Sequence, residues 1–224
     1  MAERKVNYNG VELRGCKKTP TQSEIDAFVR DNQLILPEDY LRFLSRVNGG
    51  RTRAKSYVYP RWTNNDLWPE PIPVETRWMI PKPTSEQLRL LQALSEVKAF
   101  ARQPPRVREF CYLGRGDFSL TSLLAGRKLS RAPDSTSLLP IAFSDENRPI
   151  WMSLAEQHFG VIFHYDEELN NRSVEGQPPS LDDYIDLKIA DSFAAFVRGL
   201  FKGEIMLKPG FEPNAHHLRV LNKR

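Results

Sequence analysis

The hydrophobic and polar positions predict a first helix that begins just after Thr21. Thr21 and Glu24 form a Thr-x-x-Glu capping box, in which the hydroxyl accepts a hydrogen bond from a free helix N–H and the carboxylate bonds back to the cap residue. Ile25, Phe28 and Val29 then follow at the spacing of one helical face. This segment is therefore expected to be an amphipathic helix with one face toward a core.

A second helix is predicted after Pro37, since proline loses no hydrogen bond in a first helical turn. Apolar side chains then recur at i, i+3, i+4 and i+7, and Asn48, Gly49 and Gly50 favour the left-handed backbone that ends a helix. The two patterns together predict a helical pair between about residues 21 and 50. The apolar positions of the second helix are Tyr40, Phe43, Leu44 and Val47.

Residues 51–137 have a weaker pattern and are expected to be a long insertion. Prolines up to residue 83 block continuous helices and central strands. We expect mostly loop there, with short edge strands around Ser56–Tyr59 and Trp78–Ile80. A second capping box, Thr84 with Gln87, predicts a helix that ends at about Gln103, because two prolines follow.

The rest of the insertion contains a strand-like run at residues 107–113 and then, up to residue 137, a loop or weak helix. Two apolar runs separated by a polar turn, Leu138–Phe143 and Ile150–Leu154, predict a β-hairpin. A further strand is expected at Val161–Tyr165. Asp191 and Ser192 can cap a closing helix that begins with Phe193.

The order of these elements predicts an α+β fold, with helices packed on a mostly antiparallel or mixed central sheet. We interpret residues 1–224 as one domain, in which strands and the closing helix occupy about 138–203 and a tail follows at 204–224. His216 and His217 lie in that tail, which favours flexibility over a metal site.

The composition excludes several classes of protein. Hydrophobic residues make up 40% and charged residues 27%, and no apolar run approaches the ~20 residues that cross a bilayer. The charged start lacks the apolar stretch of a secretion signal. Cys16 and Cys111 are too few for a disulfide scaffold. We therefore expect a cytoplasmic protein with no membrane partner, and homo-oligomerisation is left open.

The net charge of +4 hides a segregation of charge along the chain. Residues 77–131 contain 11 Lys and Arg against 4 Asp and Glu, whereas residues 132–197 contain 3 against 12. Charge runs are usually solvated faces, and folding can interleave them. The two blocks are nevertheless two candidate binding surfaces.

The sequence contains no local signature of catalysis or metal binding, so neither a catalytic residue nor a cofactor is predicted. His164 lies in an apolar strand without a partner at a recognisable motif spacing, which favours a core role. Cys111 between aromatic residues favours packing over reactivity. The run from Gly114 to Asp117 lacks the third glycine of a dinucleotide fingerprint and the Gly-Lys of a P-loop, so a turn is the simplest interpretation.

The basic block permits two interpretations. Its arginines could meet phosphates while tyrosines or tryptophans stack on bases. The same residue types are enriched in protein interfaces, and the element pattern is not that of a known RNA-binding sheet, so nucleic acid is the less favoured partner. The acidic block would suit a strongly basic protein partner. The candidate partner-binding residues from both blocks are Asp145, Glu146, Asp166, Glu167, Glu168, Asp182, Asp183, Trp62 and Trp68.

Four segments together follow the pattern of one known family. The first runs from Ile25 through Leu36-Pro37-Glu38-Asp39-Tyr40 to Asn48-Gly49-Gly50, and the others are the predicted strands at 139–142 and 161–166 and the closing helix at 189–197. In this order they resemble the SUKH superfamily of yeast Smi/Knr-type regulators and bacterial immunity proteins. By this resemblance Leu36, Pro37, Tyr40, Phe43, Asn48, Gly49, Gly50, Asp191, Ser192 and Phe193 are structural residues.

The resemblance implies a non-catalytic α+β protein without a cofactor. Bacterial members commonly bind and block a toxin domain, often a nuclease, so the partner it implies is a cognate toxin. Three alternatives stay open: a regulatory scaffold like the eukaryotic relatives, a nucleic-acid-binding protein that uses the insertion, and an enzyme without a recognisable motif.

Overall fold

A computed structural model describes residues 3–58, 84–86, 89–90, 92–93, 101–102, 104–127, 138–164, 187–202, 206–207 and 212–221. The helices are α1 (Gln22–Asp31), α2 (Glu38–Arg46), α3 (Leu120–Arg127), α4 (Phe193–Gly199) and α5 (Ala215–Leu221), with a 3₁₀ turn at Glu156–His158. The strands are β1 (Lys5–Tyr8), β2 (Val11–Arg14), β3 (Gly50–Ser56), β4 (Ala101–Arg102), β5 (Arg106–Phe110), β6 (Leu138–Ser144), β7 (Pro149–Ser153), β8 (Ile162–His164), β9 (Lys188–Ala190), β10 (Phe201–Lys202) and β11 (Met206–Leu207).

The chain forms two compact units. The first contains residues 1–60 and 105–203, and the second contains residues 61–104 and 204–224. In the second unit, β4 pairs with β11 and residues 85–86, 89–90 and 92–93 are helical. The helix predicted to continue to Gln103 therefore ends earlier, because residues 101–102 are strand. The tail expected from residue 204 contains α5, whose first turn is capped where the Asn214 side chain accepts the His217 N–H at 3.0 Å.

The first unit contains a nine-stranded sheet in the order β1-β2-β3-β5-β6-β7-β8-β9, with β10 paired to the end of β3. Every pair of described strands is antiparallel, and α1, α2 and α4 pack on one face through the core. The predicted α+β class is confirmed, and the sheet is antiparallel. The predicted β6–β7 hairpin, the capping box of α1 and the Ser192 cap of α4 are present.

The core is centred on the apolar face of α2. The Phe43 ring lies 5.2 Å from the Tyr8 ring, 5.3 Å from Phe110 and 4.8 Å from Phe193, measured between centroids. Phe43 and Tyr40 are fully buried, as the i, i+3 spacing predicts. One helix thus joins the N-terminal hairpin, the central sheet and α4.

Strand β3 differs from the loop expected after residue 50. It pairs with β5 along one edge, and β2 and β10 share its other edge. Its outward positions are the exposed Arg51 and Arg53, whereas Thr52 is half-buried and Ser56 is buried. Because the inward residues Thr52 and Ser56 are small and polar, no clear apolar alternation marks this strand. The Thr52 hydroxyl, which donates to the Val107 carbonyl, ties it to β5.

The hairpin β1–β2 was not predicted, although its turn carries a recognisable signal. Asn9 and Gly10 both have positive φ, 49° and 82°, as a two-residue hairpin turn of type I′ requires. The side chain of Asn7 accepts the Gly10 N–H at 3.1 Å. Val11 and Leu13 face the core while Glu12 is exposed. An Asn-Gly pair between short alternating runs would have identified this element.

Candidate protein-binding surfaces

The side chains considered for catalysis, Cys16, Cys111 and His164, are buried in the interior. Cys111 is fully buried, and desolvation raises the pKa of its thiol far above the ordinary value. Cys16 is also buried, and burial raises the pKa of its thiol. Within the described ranges, no group of three His, Cys, Asp or Glu side chains is placed to hold a metal ion. The described helices are also too short or too polar for any of them to cross a membrane.

His164 lies in the interior, next to Tyr57. It is 3% exposed, and its Nδ1 is 2.8 Å from the Tyr57 hydroxyl, which is itself buried. Tyr57 follows β3 and His164 ends β8, so the pair joins distant parts of the chain. A hydrogen-bonded, buried imidazole agrees with the core role that the sequence favoured.

The glycine run after β5 is a turn against Tyr112. Gly114 and Gly116 have φ of 139° and 133°. Tyr112 pairs with Ser119, whose hydroxyl donates to the Gly114 carbonyl at 2.5 Å. The loop thus closes on itself and leads into α3, which agrees with the interpretation as a plain turn.

A buried polar junction fixes the reversal after α2. Asn48 is 1% exposed with φ of 58°, and its amide donates to the carbonyls of Lys18 and Leu113 at 2.7 and 3.0 Å. Its side-chain oxygen accepts the Leu113 N–H at 2.7 Å. A Cβ on Gly49 would lie 2.7 Å from the Tyr112 Cβ, so only glycine fits there. Together the two residues hold the backbone in the conformation that this reversal requires.

Asp39 has a role that its place in the sequence does not indicate. Its carboxylate accepts the Ala194 N–H at 2.7 Å, next to the Ser192 cap of α4. A carboxylate at a helix N-terminus satisfies a free N–H and complements the dipole. Asp39 belongs to the first turn of α2, but its carboxylate caps a different helix, α4.

Two of the predicted acidic partner-binding residues, Asp145 and Glu146, lie in the exposed turn between β6 and β7. Asp145 accepts the Arg106 backbone N–H at 3.2 Å, and Glu146 forms an ion pair with Arg148 at 3.2 Å. Arg108 donates to the Asn147 side chain in the same turn at 2.7 Å. Arginines therefore accompany the carboxylates of this turn, and its charge is mixed.

The other predicted partner-binding residues lie outside the residues that the structure describes. They are Asp166, Glu167, Glu168, Asp182, Asp183, Trp62 and Trp68.

The sheet face opposite the helices carries a charged surface that sequence reasoning missed, and we call it the outer face of β1–β3. Strand register places Lys5 opposite Arg14 and Arg14 opposite Arg51. Arg14 forms an ion pair with Glu12 at 2.5 Å, and Arg51 forms one with Glu3 at 2.7 Å. These side chains lie together because of the register of the sheet. No local sequence pattern reveals that register for β3.

Comparison with known proteins gives one family. The model of the SMI1 / KNR4 family (SUKH-1) matches residues 19–199. Neither the curated proteins nor the solved structures give a match. The matched range contains α1 to α4 and every strand from β3 to β9, and it begins after the hairpin β1–β2.

Proposed function

The chain belongs to the SMI1/KNR4 family (SUKH-1), and from that premise we propose that it is an immunity protein that binds and neutralises a cognate toxin. Neutralisation would take place in a stoichiometric protein–protein complex in the cytoplasm, without a cofactor. The observation that carries the proposal is the family match over residues 19–199, since toxin binding is what the resemblance implied for bacterial members.

The chemistry of the described residues supports a binding role. Cys111 and His164 are buried in the core, and the polar junction at Asn48 is satisfied by backbone groups. An inhibitor that blocks a toxin by contact needs a stable scaffold and an exposed, complementary surface rather than a reactive group. The antiparallel sheet with helices on one face provides such a scaffold.

The toxin-binding residues proposed from the sequence include both charged and aromatic side chains. Asp145 and Glu146 are exposed and available for steering a basic partner. Lysine substitutions at Asp166, Glu167 and Glu168 test the acidic surface, and alanine substitutions at Trp62 and Trp68 test the aromatic one. The proposed surfaces are wrong if neither set weakens the complex while the fold survives.

Coexpression tests the function directly. The toxin encoded beside the gene is produced with and without this protein, and growth and copurification are measured. We expect rescue of growth and a complex of constant stoichiometry. If every neighbouring candidate toxin remains lethal and none copurifies, the immunity proposal fails, and a regulatory scaffold with other protein partners becomes the better hypothesis.

A further inference from the structure

Three cationic side chains lie in a row across adjacent strands on the outer face of β1–β3. Antiparallel partners project to the same side of a sheet, and neighbouring strands are about 4.8 Å apart. Lys5 is the partner of Arg14, and Arg14 is the partner of Arg51. Carboxylates accompany both arginines: Glu12 is paired with Arg14, Glu3 is paired with Arg51, and Glu109 is the β5 partner of Arg51.

This face is directed away from the core. Leu13, between Glu12 and Arg14, is fully buried on the helix side, so its two neighbours project to the other side. The side chains of Arg51 and Arg14 are 59% and 33% exposed, and Lys5 and Arg53 are exposed. A partner can therefore reach the guanidinium groups without any opening of the fold.

Positive charge exceeds negative charge on this face. Four cations, Lys5, Arg14, Arg51 and Arg53, accompany three carboxylates, Glu3, Glu12 and Glu109, the last of which is the β5 partner of Arg51. The hydrogen bond from Arg14 is the main cause that lowers the pKa of Glu12, followed by the charges of Arg14, Lys5 and Arg53. Four cations against three carboxylates leave a net positive charge that attracts further acidic groups.

The carboxylates Glu12 and Glu3 favour an acidic protein over a nucleic acid. They hold Arg14 and Arg51 at 2.5 and 2.7 Å and would repel a continuous run of phosphates. Charged side chains, and not aromatic ones that could stack on bases, occupy the outward positions of β2 and β3. A protein surface can place single carboxylates between these groups, and guanidiniums already held in position lose less freedom on binding.

From these observations we propose that the outer face of β1–β3 is the docking surface for an acidic patch on the toxin. The inference rests on the proposed function, and it names the chemistry of the partner. The hairpin β1–β2 supplies Lys5 and Arg14 and precedes the residues that the family model matches. It is thus an element of this chain, outside the matched range, that can select one toxin among many.

The test compares two sets of charge reversals in the full chain. The face variant is Lys5→Glu with Arg14→Glu and Arg53→Glu. The control variant is Arg30→Glu with Arg46→Glu and Arg198→Glu, which makes the same change of net charge at exposed positions of α1, α2 and α4. A milder variant, Lys5→Gln with Arg53→Gln, leaves both ion pairs intact and covers the case in which the triple reversal does not fold.

The association rate of each variant with the toxin is measured at about 50 and about 200 mM salt. We expect association of the face variant to be at least about tenfold slower at low salt, and that of the control variant to stay within about twofold of the wild type. The milder variant should lie between them. Equal association of the wild type and a folded face or milder variant would overturn the proposal.

A second measurement separates this inference from the immunity proposal. If the wild type binds no toxin, the immunity proposal fails, and the face is tested with labelled poly-L-glutamate and with single-stranded DNA. We expect poly-L-glutamate to bind the wild type and the control variant at about 50 mM salt and the face variant at least about tenfold more weakly. Absence of binding, or tighter binding of DNA through the same residues, would refute an acidic protein as the partner.

Discussion

At the scale of single residues, Asn48 combines a left-handed backbone with complete use of its amide in a buried position. Its three hydrogen bonds reach Lys18 and Leu113, which lie 30 and 65 residues away. A hydrophobic or smaller side chain would leave buried backbone groups unsatisfied. This residue therefore joins three segments that the chain itself does not keep together.

We predict that Asn48→Ala lowers the free energy of unfolding by about 2–4 kcal/mol, because it removes buried hydrogen bonds and leaves alanine at positive φ. Asn147→Ala is the matched control, since Asn147 also has positive φ, 62°, but lies in an exposed turn. Its loss should stay below about 1 kcal/mol. Denaturant unfolding measures both. Equal losses would assign the cost to backbone strain alone.

Cys111 allows a chemical test of burial. Because desolvation raises the pKa of its thiol, almost no thiolate exists near neutral pH, and the side chain is inaccessible. In a Cys16→Ala variant, we expect a thiol reagent to modify Cys111 only at the rate at which the protein unfolds, and rapidly in denaturant. Fast modification of the folded protein would contradict the burial of this strand end.

At the scale of elements, α1 has a start that the sequence specifies almost completely. Glu24 accepts from the Thr21 backbone N–H at 2.7 Å and from the Thr21 hydroxyl at 3.0 Å. The backbone bond, and then the hydroxyl bond, lower the pKa of Glu24 below its ordinary value of 4.5. A carboxyl whose pKa is lowered on folding stabilises the fold above its ordinary pKa, and that stabilisation is lost as pH falls through the lowered value.

We therefore predict that the stability advantage of the wild type over Glu24→Gln is present near neutral pH and disappears in acid, below 4.5. The titration of the Glu24 carboxyl, followed by NMR, should have a midpoint below 4.5. Thr21→Ala should raise that midpoint, whereas Thr21→Ser keeps both donors and should not. A midpoint unchanged by Thr21→Ala would show that the hydroxyl does not stabilise the Glu24 carboxylate.

At the scale of the whole molecule, the first unit depends on one aromatic cluster that joins the N-terminal hairpin and the centre of the sheet to the helices. Phe43 contacts rings from β1, β5 and α4. We predict that Phe43→Ala lowers the free energy of unfolding by about 3–5 kcal/mol through the cavity it creates. Ile35→Ala is the control, since Ile35 is 77% exposed, and should change it by less than about 0.5 kcal/mol. Similar effects at both positions would refute this account of the core.

Much of this fold follows from local signals, and the candidate surface does not. Capping at Thr21 and Ser192 and the turn between β6 and β7 were predicted because each depends on residues a few positions apart. The acidic residues Asp145 and Glu146 were correctly expected in a turn, but of the arginines around that turn only Arg148 is local, and Arg106 and Arg108 come from another strand. Charge summed along the sequence therefore does not give the charge of a surface.

The sequence by itself determined the helices α1, α2 and α4, the β6–β7 hairpin and the α+β class, since amphipathic spacing and capping act within a few turns of chain. Only the tertiary structure decided the place of β3, the Tyr57–His164 pair across 107 residues and the row of Lys5, Arg14 and Arg51. The physical reason is that strand pairing closes loops of many residues. Which strands meet, and in which register, is fixed by packing of the whole core and by no short pattern.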